Sequence, residues 1–76
     1  MQKSELQMEK IRNFLRKRRI QMGKTQLEVA QVIRLSQSAY SRIETGQRAL
    51  QVKELLELLQ FYGFEMINAI WIQGLE

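Results

Sequence analysis

Residues 25–46 read TQLEVAQVIRLSQSAYSRIETG and contain two short segments of helical pattern separated by a break. The first segment starts at Thr25, which together with Glu28 forms the pattern of a capping box, in which two side chains bind each other's backbone N–H groups. After the break, Ser36 has the position and chemistry of an N-cap for the second segment, and Gly46 is suited to end it. The stretch therefore predicts two consecutive helices joined by a short turn.

The second of these predicted helices has an unusually narrow apolar side. Tyr40 and Ile43 are its only large apolar residues, so most of its circumference is expected to face solvent. A helix, a short turn and a second helix with a polar outer face is the helix-turn-helix pattern, in which the second helix enters the DNA major groove. Serine allows close approach there, and glutamine or arginine can bind a base edge with two hydrogen bonds. The pattern therefore predicts a surface that lies against base edges.

The composition argues against an enzyme. The 76-residue chain is long enough for one domain, and its 45% hydrophobic content argues against disorder. It has no cysteine, which rules out disulfides and thiolate metal sites, and no histidine, the commonest general base. No Gly-rich phosphate loop or nucleophile–base pair is present, and we interpret Glu54 and Glu57 as helix surface. We expect a protein without catalytic activity, cofactor or metal.

The positive charge is concentrated near the start of the chain. Lys and Arg outnumber Asp and Glu by 12 to 8, which gives a net charge of +4. Residues 10–24 include seven basic residues and no acidic one. The seven are Lys10, Arg12, Arg16, Lys17, Arg18, Arg19 and Lys24. Charge alone leaves two interpretations open, a solvated helical face and a surface that faces phosphates.

The sequence favours a protein of the cytoplasm. No apolar run approaches the roughly 20 residues that a membrane-spanning helix needs. The first ten residues, MQKSELQMEK, carry too many charges for a signal peptide. We therefore expect no membrane partner.

Two further helices are predicted on either side of residues 25–46. One begins at Ser4, which with Gln7 fits another capping box, and Gly23 is suited to stop it. Its inward positions are Met8, Ile11, Leu15 and Met22. The other covers approximately residues 52–62, and its apolar stripe is wider than one packing partner requires. We expect an all-α domain whose last helix is buried on two sides.

Residues 64–76 are predicted to form a C-terminal extension to a domain that spans residues 1–63. The β-branched and aromatic content of FEMINAIWIQGLE favours a strand, although Phe64, Ile67 and Trp71 would also fit a final helix. A single strand cannot satisfy its own backbone, so we expect it to pair with its counterpart in a second subunit. The predicted dimer contacts are Phe64, Met66, Ile67, Ile70 and Trp71.

Two stretches of the chain resemble the Xre/Cro family of DNA-binding domains, the group of the lambdoid phage repressors. They are RIQMGKTQLEVAQ at residues 19–31 and LSQSAYSRIETGQR at residues 35–48. The shared features are an arginine that ends the first helix, Thr-Gln and an alanine in the second, Ser-Gln that opens the third, and Ile-Glu-x-Gly that closes it. The resemblance covers about residues 11–62 and implies a compact, lambda-repressor-like domain of four to five helices, encoded by a bacterium or a phage.

The resemblance also implies roles for individual residues. Gln26 matches a phosphate-contacting glutamine at the start of the second helix. Gln37 and Ser38 match the principal base-reading positions, and Ser41 and Arg42 lie one turn further along the same face. The positions that similar proteins lay along the DNA backbone are Thr45, Gln47 and Arg48. The residues that match the family's ion pair between the first and third helices are Arg19 and Glu44.

Three positions depart from the family pattern. Arg34 stands in the turn where glycine is usual, Lys24 replaces an apolar residue, and Leu50 replaces a proline. A residue with a Cβ costs about 1 kcal/mol in the left-handed conformation, so a slightly reshaped turn is expected at Arg34.

The sequence therefore predicts a sequence-specific regulator of transcription that binds double-stranded DNA. We expect a repressor that binds a pseudo-palindromic operator as a homodimer. The alternative is an antitoxin whose main role is to hold a toxin protein, because the C-terminal tail resembles that of HipB-type antitoxins.

Overall fold

The computed structural model describes residues 3–63, which form four α-helices and no β-strand. The helices are α1 (Lys3–Gln21), α2 (Gln26–Val32), α3 (Gln37–Thr45) and α4 (Val52–Phe61). The all-α fold with two short consecutive helices is as predicted. The predicted strand and its dimer contacts lie outside the described residues. No helix within residues 3–63 is long and apolar enough to span a membrane.

A small core brings the four helices together. Val29, Ala30 and Leu58 are fully buried, and Ala30 has a side chain small enough for a neighbouring helix to approach closely. Seven buried residues form the core cluster: Leu15, Val29, Ala30, Ile33, Tyr40, Leu58 and Tyr62. Each of the four helices, or a residue next to it, contributes to this cluster. The cluster therefore fixes the orientation of α3.

The turn between α2 and α3 is held by local hydrogen bonds. The Leu35 N–H donates to the Ala30 carbonyl at 2.9 Å, and the Arg34 N–H donates to the Gln31 carbonyl at 3.2 Å. This is the Schellman pattern, and Arg34 has the left-handed φ of 59° that glycine usually supplies. The Ser36 hydroxyl then accepts from the Ala39 N–H at 3.0 Å, which confirms its predicted role as the N-cap of α3.

The predicted start and one predicted core residue of α1 are wrong. The helix begins at Lys3, so Ser4 lies inside its first turn and is not the N-cap. Met22 was predicted to face inward, but it is 38% exposed. The reason is that α1 ends at Gln21, and Gly23 reverses the chain with a φ of 69°, which places Met22 in the turn and outside the helical stripe.

Glu54 is not part of the helix surface, contrary to the sequence interpretation. It is only 6% exposed, and its carboxylate accepts both guanidinium N–H groups of Arg48, at 3.0 and 3.1 Å. It also accepts the backbone N–H of Gln51 at 3.0 Å, which caps the start of α4. Glu57 is partly exposed and pairs with Arg34 at 2.6 Å. The loop after α3 is therefore tied to α4 by a buried carboxylate.

Candidate nucleic-acid interface

The polar face of α3 borders an open groove on the surface of the domain. Tyr40 and Ile43 are buried on the inner side of the helix, and helical spacing therefore turns Gln37, Ser38 and Arg42 outward, where all three are exposed. The groove is lined by six residues: Gln26, Gln37, Ser38, Ser41, Arg42 and Gln47. The structure thus brings together, at one surface, six of the eight residues that the sequence assigns to DNA.

Arg42 provides the only groove-lining cation, and its side chain forms no hydrogen bond or ion pair with the residues that the structure describes. Its backbone carbonyl is engaged instead, because it accepts the Arg48 N–H at 3.1 Å and the Thr45 hydroxyl at 3.2 Å. The backbone at the end of α3 is therefore fixed while the guanidinium stays available to an external acceptor. Thr45 is exposed but does not line the groove.

Arg19 and Glu44 form the ion pair that the family resemblance implies. The Arg19 Nε and Nη2 atoms donate to the two Glu44 carboxylate oxygens at 2.7 and 3.2 Å. Arg19 also donates through Nη1 to the Lys24 carbonyl at 2.8 Å. The Gln26 carboxamide joins this network, since its Nε2 donates to Glu44 Oε1 at 3.0 Å. One carboxylate on α3 therefore links α1, the turn before α2, and α2 itself.

The network keeps Glu44 charged in a mostly buried position. The Glu44 and Arg19 side chains are only 5% and 11% exposed. Burial acts to raise the pKa of Glu44, but its hydrogen-bonding interactions, of which that with Arg19 is the largest, outweigh burial, so the pKa lies below its ordinary value. The hydrogen bond to Glu44 raises the pKa of Arg19 despite the opposing effect of burial. Burial also raises the pKa of the neighbouring Tyr40 hydroxyl far above its ordinary value. At neutral pH the network therefore holds one ion pair and a neutral tyrosine.

A family model described as helix-turn-helix, HTH_3, matches residues 15–66, which is more than half of the chain. The protein belongs to this Xre/Cro-like helix-turn-helix family. Neither a curated protein nor a solved structure gives a significant match. Family membership makes the protein a DNA-binding regulator of transcription, with double-stranded DNA as its partner.

Arg48, in the loop that follows the helix-turn-helix, is anchored to α4 and does not line the groove, although its neighbour Gln47 does. Arg48 was assigned to the DNA backbone, but its guanidinium is held by Glu54, and its side chain is 31% exposed. Although burial opposes it, the hydrogen bond from Arg48 helps to hold the pKa of Glu54 below its ordinary value. The role of Arg48 in DNA binding stays a prediction. The anchoring was not foreseen, although a basic residue six positions before a glutamate in the first turn of a helix is a usable signal for it.

The basic cluster of the helix-turn-helix protein is not one continuous face. Lys10, Arg16 and Lys17 are exposed, whereas Arg19 is committed to its ion pair. Arg12 packs on the end of α3, because a Cβ added to Gly46 would lie 3.0 Å from its guanidinium. Gly46 has a φ of 85°, and its lack of a side chain admits this contact. Because Arg12 and Arg19 are engaged within the domain, neither interpretation of the cluster covers all seven residues.

Proposed function

We propose that the protein is a repressor that binds a pseudo-palindromic operator as a homodimer and acts by binding, without catalysis. The observation that carries this proposal is the groove beside α3, where predicted base-reading and phosphate-contacting residues lie together with the available Arg42 guanidinium. A bound operator would cover promoter sequence and exclude the polymerase.

The exposed face of α3 suits the DNA major groove. The groove is about 12 Å wide, so the helix enters it only if its outer side chains permit close approach. The small side chains of Ser38, which is exposed, and Ser41, which is half-buried, meet this requirement. Gln37 and Arg42 supply the groups that bind adenine and guanine edges with two hydrogen bonds each. These four residues give α3 the chemistry for direct readout.

A second apolar face on α4 supports the homodimer. Leu58 and Tyr62 are buried in the core and Leu59 packs against it, but Val52 is 72% exposed, and Leu56, one turn further along the same side as Val52, is half-buried. A monomer gains nothing from an exposed valine there, whereas a second copy would cover it. Two-fold symmetry would place the two α3 helices in successive major grooves, about 34 Å apart.

The test begins with selection of bound sequences from a pool of random DNA duplexes. We expect an enriched pseudo-palindrome. On the selected duplex, Arg42→Ala should weaken binding by about 1–3 kcal/mol and relax the preference at one base pair, because a bidentate base contact is lost. Gln26→Ala should weaken binding to all duplexes alike, because a phosphate contact carries no sequence information.

Arg16→Ala is the matched control, since it removes one arginine charge from an exposed position of α1. It should leave base preference unchanged. The site assignment is wrong if Arg42→Ala and Arg16→Ala have the same effect on sequence preference. The repressor proposal itself fails if no duplex is enriched, and an affinity for DNA that is independent of salt would contradict a phosphate-dominated contact.

A further inference from the structure

We propose that Glu44 is a positioning residue of the DNA interface, whose carboxylate orients the Gln26 carboxamide so that one of its N–H groups is directed to a DNA phosphate. This inference rests on the proposed contact of Gln26 with phosphate. It assigns to Glu44 a role beyond its ion pair with Arg19.

The two ends of a carboxamide differ in their hydrogen-bonding chemistry. A glutamine side chain has two N–H donors on nitrogen and an acceptor oxygen, and rotation by 180° exchanges them. An ionised carboxylate only accepts, so it selects the nitrogen end. The 3.0 Å contact between Gln26 Nε2 and Glu44 Oε1 uses one of the two N–H groups. The second N–H remains for another acceptor, and a phosphate oxygen also only accepts.

The carboxylate is itself held in one orientation. Oε2 accepts from Arg19 Nε at 2.7 Å, and Oε1 is shared between Arg19 Nη2 and Gln26 Nε2. Arg19 is anchored in turn by its hydrogen bond to the Lys24 carbonyl, two residues before Gln26. Because the Glu44 side chain is only 5% exposed, solvent competes little for these oxygens. Gln26 lines the groove beside α3, so an orientation imposed by Glu44 is presented to the DNA.

The hydrogen bond between Gln26 and Glu44 joins two different helices. Glu44 belongs to α3, which carries the base-reading residues, whereas Gln26 belongs to α2. Their hydrogen bond therefore fixes a phosphate contact relative to the base contacts. A glutamine free to rotate would have to be ordered when it binds phosphate, and that bond would carry an ordering cost that the contact with Glu44 has already met.

A double-mutant cycle tests the proposal, with binding measured to a mixed-sequence duplex at low salt. Glu44→Gln should weaken binding by about 5- to 10-fold, similar to Gln26→Ala, because one hydrogen bond to a charged group is lost or misdirected. In the Gln26→Ala background, Glu44→Gln should have less than about a twofold further effect, since coupled residues are not additive. A purely structural role would give the same loss in both backgrounds, and that result would overturn the proposal.

Loss of charge beside Arg19 could also unfold the domain, so a second measurement uses the unaltered protein. In NMR spectra of the free protein, the Gln26 carboxamide protons should exchange with solvent more slowly than those of the exposed Gln47, and addition of the duplex should shift the Gln26 signals. Exchange as fast as that of Gln47, or no shift on binding, would overturn the proposal. If the unaltered protein binds no duplex, the proposed function falls as well, whereas binding with an additive cycle removes only the role of Glu44.

Discussion

Two glutamates with mostly buried side chains hold α3 and the loop after it in place at the level of single residues. Glu44 joins α3 to α1 and α2, and Glu54 joins the loop after α3 to the start of α4. Burial opposes ionisation of both, but their hydrogen bonds outweigh it and lower both pKa values. A carboxyl group with a lowered folded-state pKa stabilises the protein above its unfolded-state pKa, near 4.3, and this stabilisation is lost as the pH falls through the folded-state pKa. The fold should therefore weaken in acid.

Glu54→Gln should lower the free energy of unfolding at pH 7 by about 1–3 kcal/mol, because a charged acceptor is removed from a mostly buried site. The matched control is Glu57→Gln, one turn further along the same helix. Glu57 pairs with the exposed Arg34, so its replacement should cost less than about 1 kcal/mol. Urea denaturation of both variants measures these costs.

The same measurement across pH separates charge from packing. The stability difference between the unaltered protein and Glu54→Gln should shrink as the pH falls below the unfolded-state pKa, about 4.3, and through the lower folded-state pKa of Glu54, because protonation removes the charge that Arg48 binds. A difference that stays constant from pH 7 to pH 3 would contradict a role for the charge of Glu54.

The sequence predicted the structural role of Glu44 but not that of Glu54. Glu44 was assigned to an ion pair because it sits in a family motif with Arg19. Glu54 has the same i, i+3 spacing to Glu57 as an ordinary surface pair, and helical spacing says nothing about a loop that folds back onto the helix. The burial of Glu54 depends on the position of Arg48, which is determined by the tertiary structure.

At the scale of elements, the α2–α3 turn determines how α3 is presented. Arg34 occupies the left-handed position of this turn with a φ of 59°. The strain costs about 1 kcal/mol relative to glycine, and the pair with Glu57 is too exposed to offset much of it. The hydrogen bonds of the turn are nevertheless formed, so the rest of the fold imposes the conformation.

The effect of a substitution at Arg34 on the free energy of unfolding should depend on how well the new residue tolerates a positive φ. Arg34→Gly should change the free energy of unfolding by less than about 1 kcal/mol, because relief of strain is opposed by the greater freedom of glycine in the unfolded chain. Arg34→Val should destabilise by about 1–3 kcal/mol, since β-branched residues resist this region. Arg34→Asn is the control, because it loses the pair with Glu57 but tolerates the conformation. Equal stability of the valine and asparagine variants would show that the turn relaxes freely.

Helix ends were the most predictable elements because their signals are local. The capping box of Thr25 and Glu28 is present, with hydrogen bonds of 2.8 and 3.1 Å, and Gly46 ends α3 as expected. The start of α1 was misplaced, since a serine suited to an N-cap was also preceded by a residue able to extend the helix. Local propensity identifies such candidates but does not choose between neighbouring starts.

At the scale of the whole molecule, the apolar face of α4 is one that a single copy of the described chain leaves partly uncovered. Val52 is the most exposed large apolar residue among those described, and it lies in the first turn of α4. The residues beyond Gly63 add further apolar side chains in the sequence. The sequence predicted this excess from the width of the stripe, but it could not say which residues the core would use. Leu58 and Tyr62 are buried in the core, whereas Val52 is not.

Val52→Glu tests whether this face joins two copies. A carboxylate in the first turn of a helix interacts favourably with the helix dipole, so the monomer should keep its stability. A buried interface would instead receive an unpaired charge, and the dimer should dissociate at higher protein concentrations than the unaltered protein. Lys53→Gln is the control, because it changes the net charge by the same amount at the neighbouring position. Deletion of residues 64–76 should also weaken the dimer. Sedimentation over a range of concentrations measures all three, and a dimer equally stable in every variant would place the interface elsewhere on the molecule.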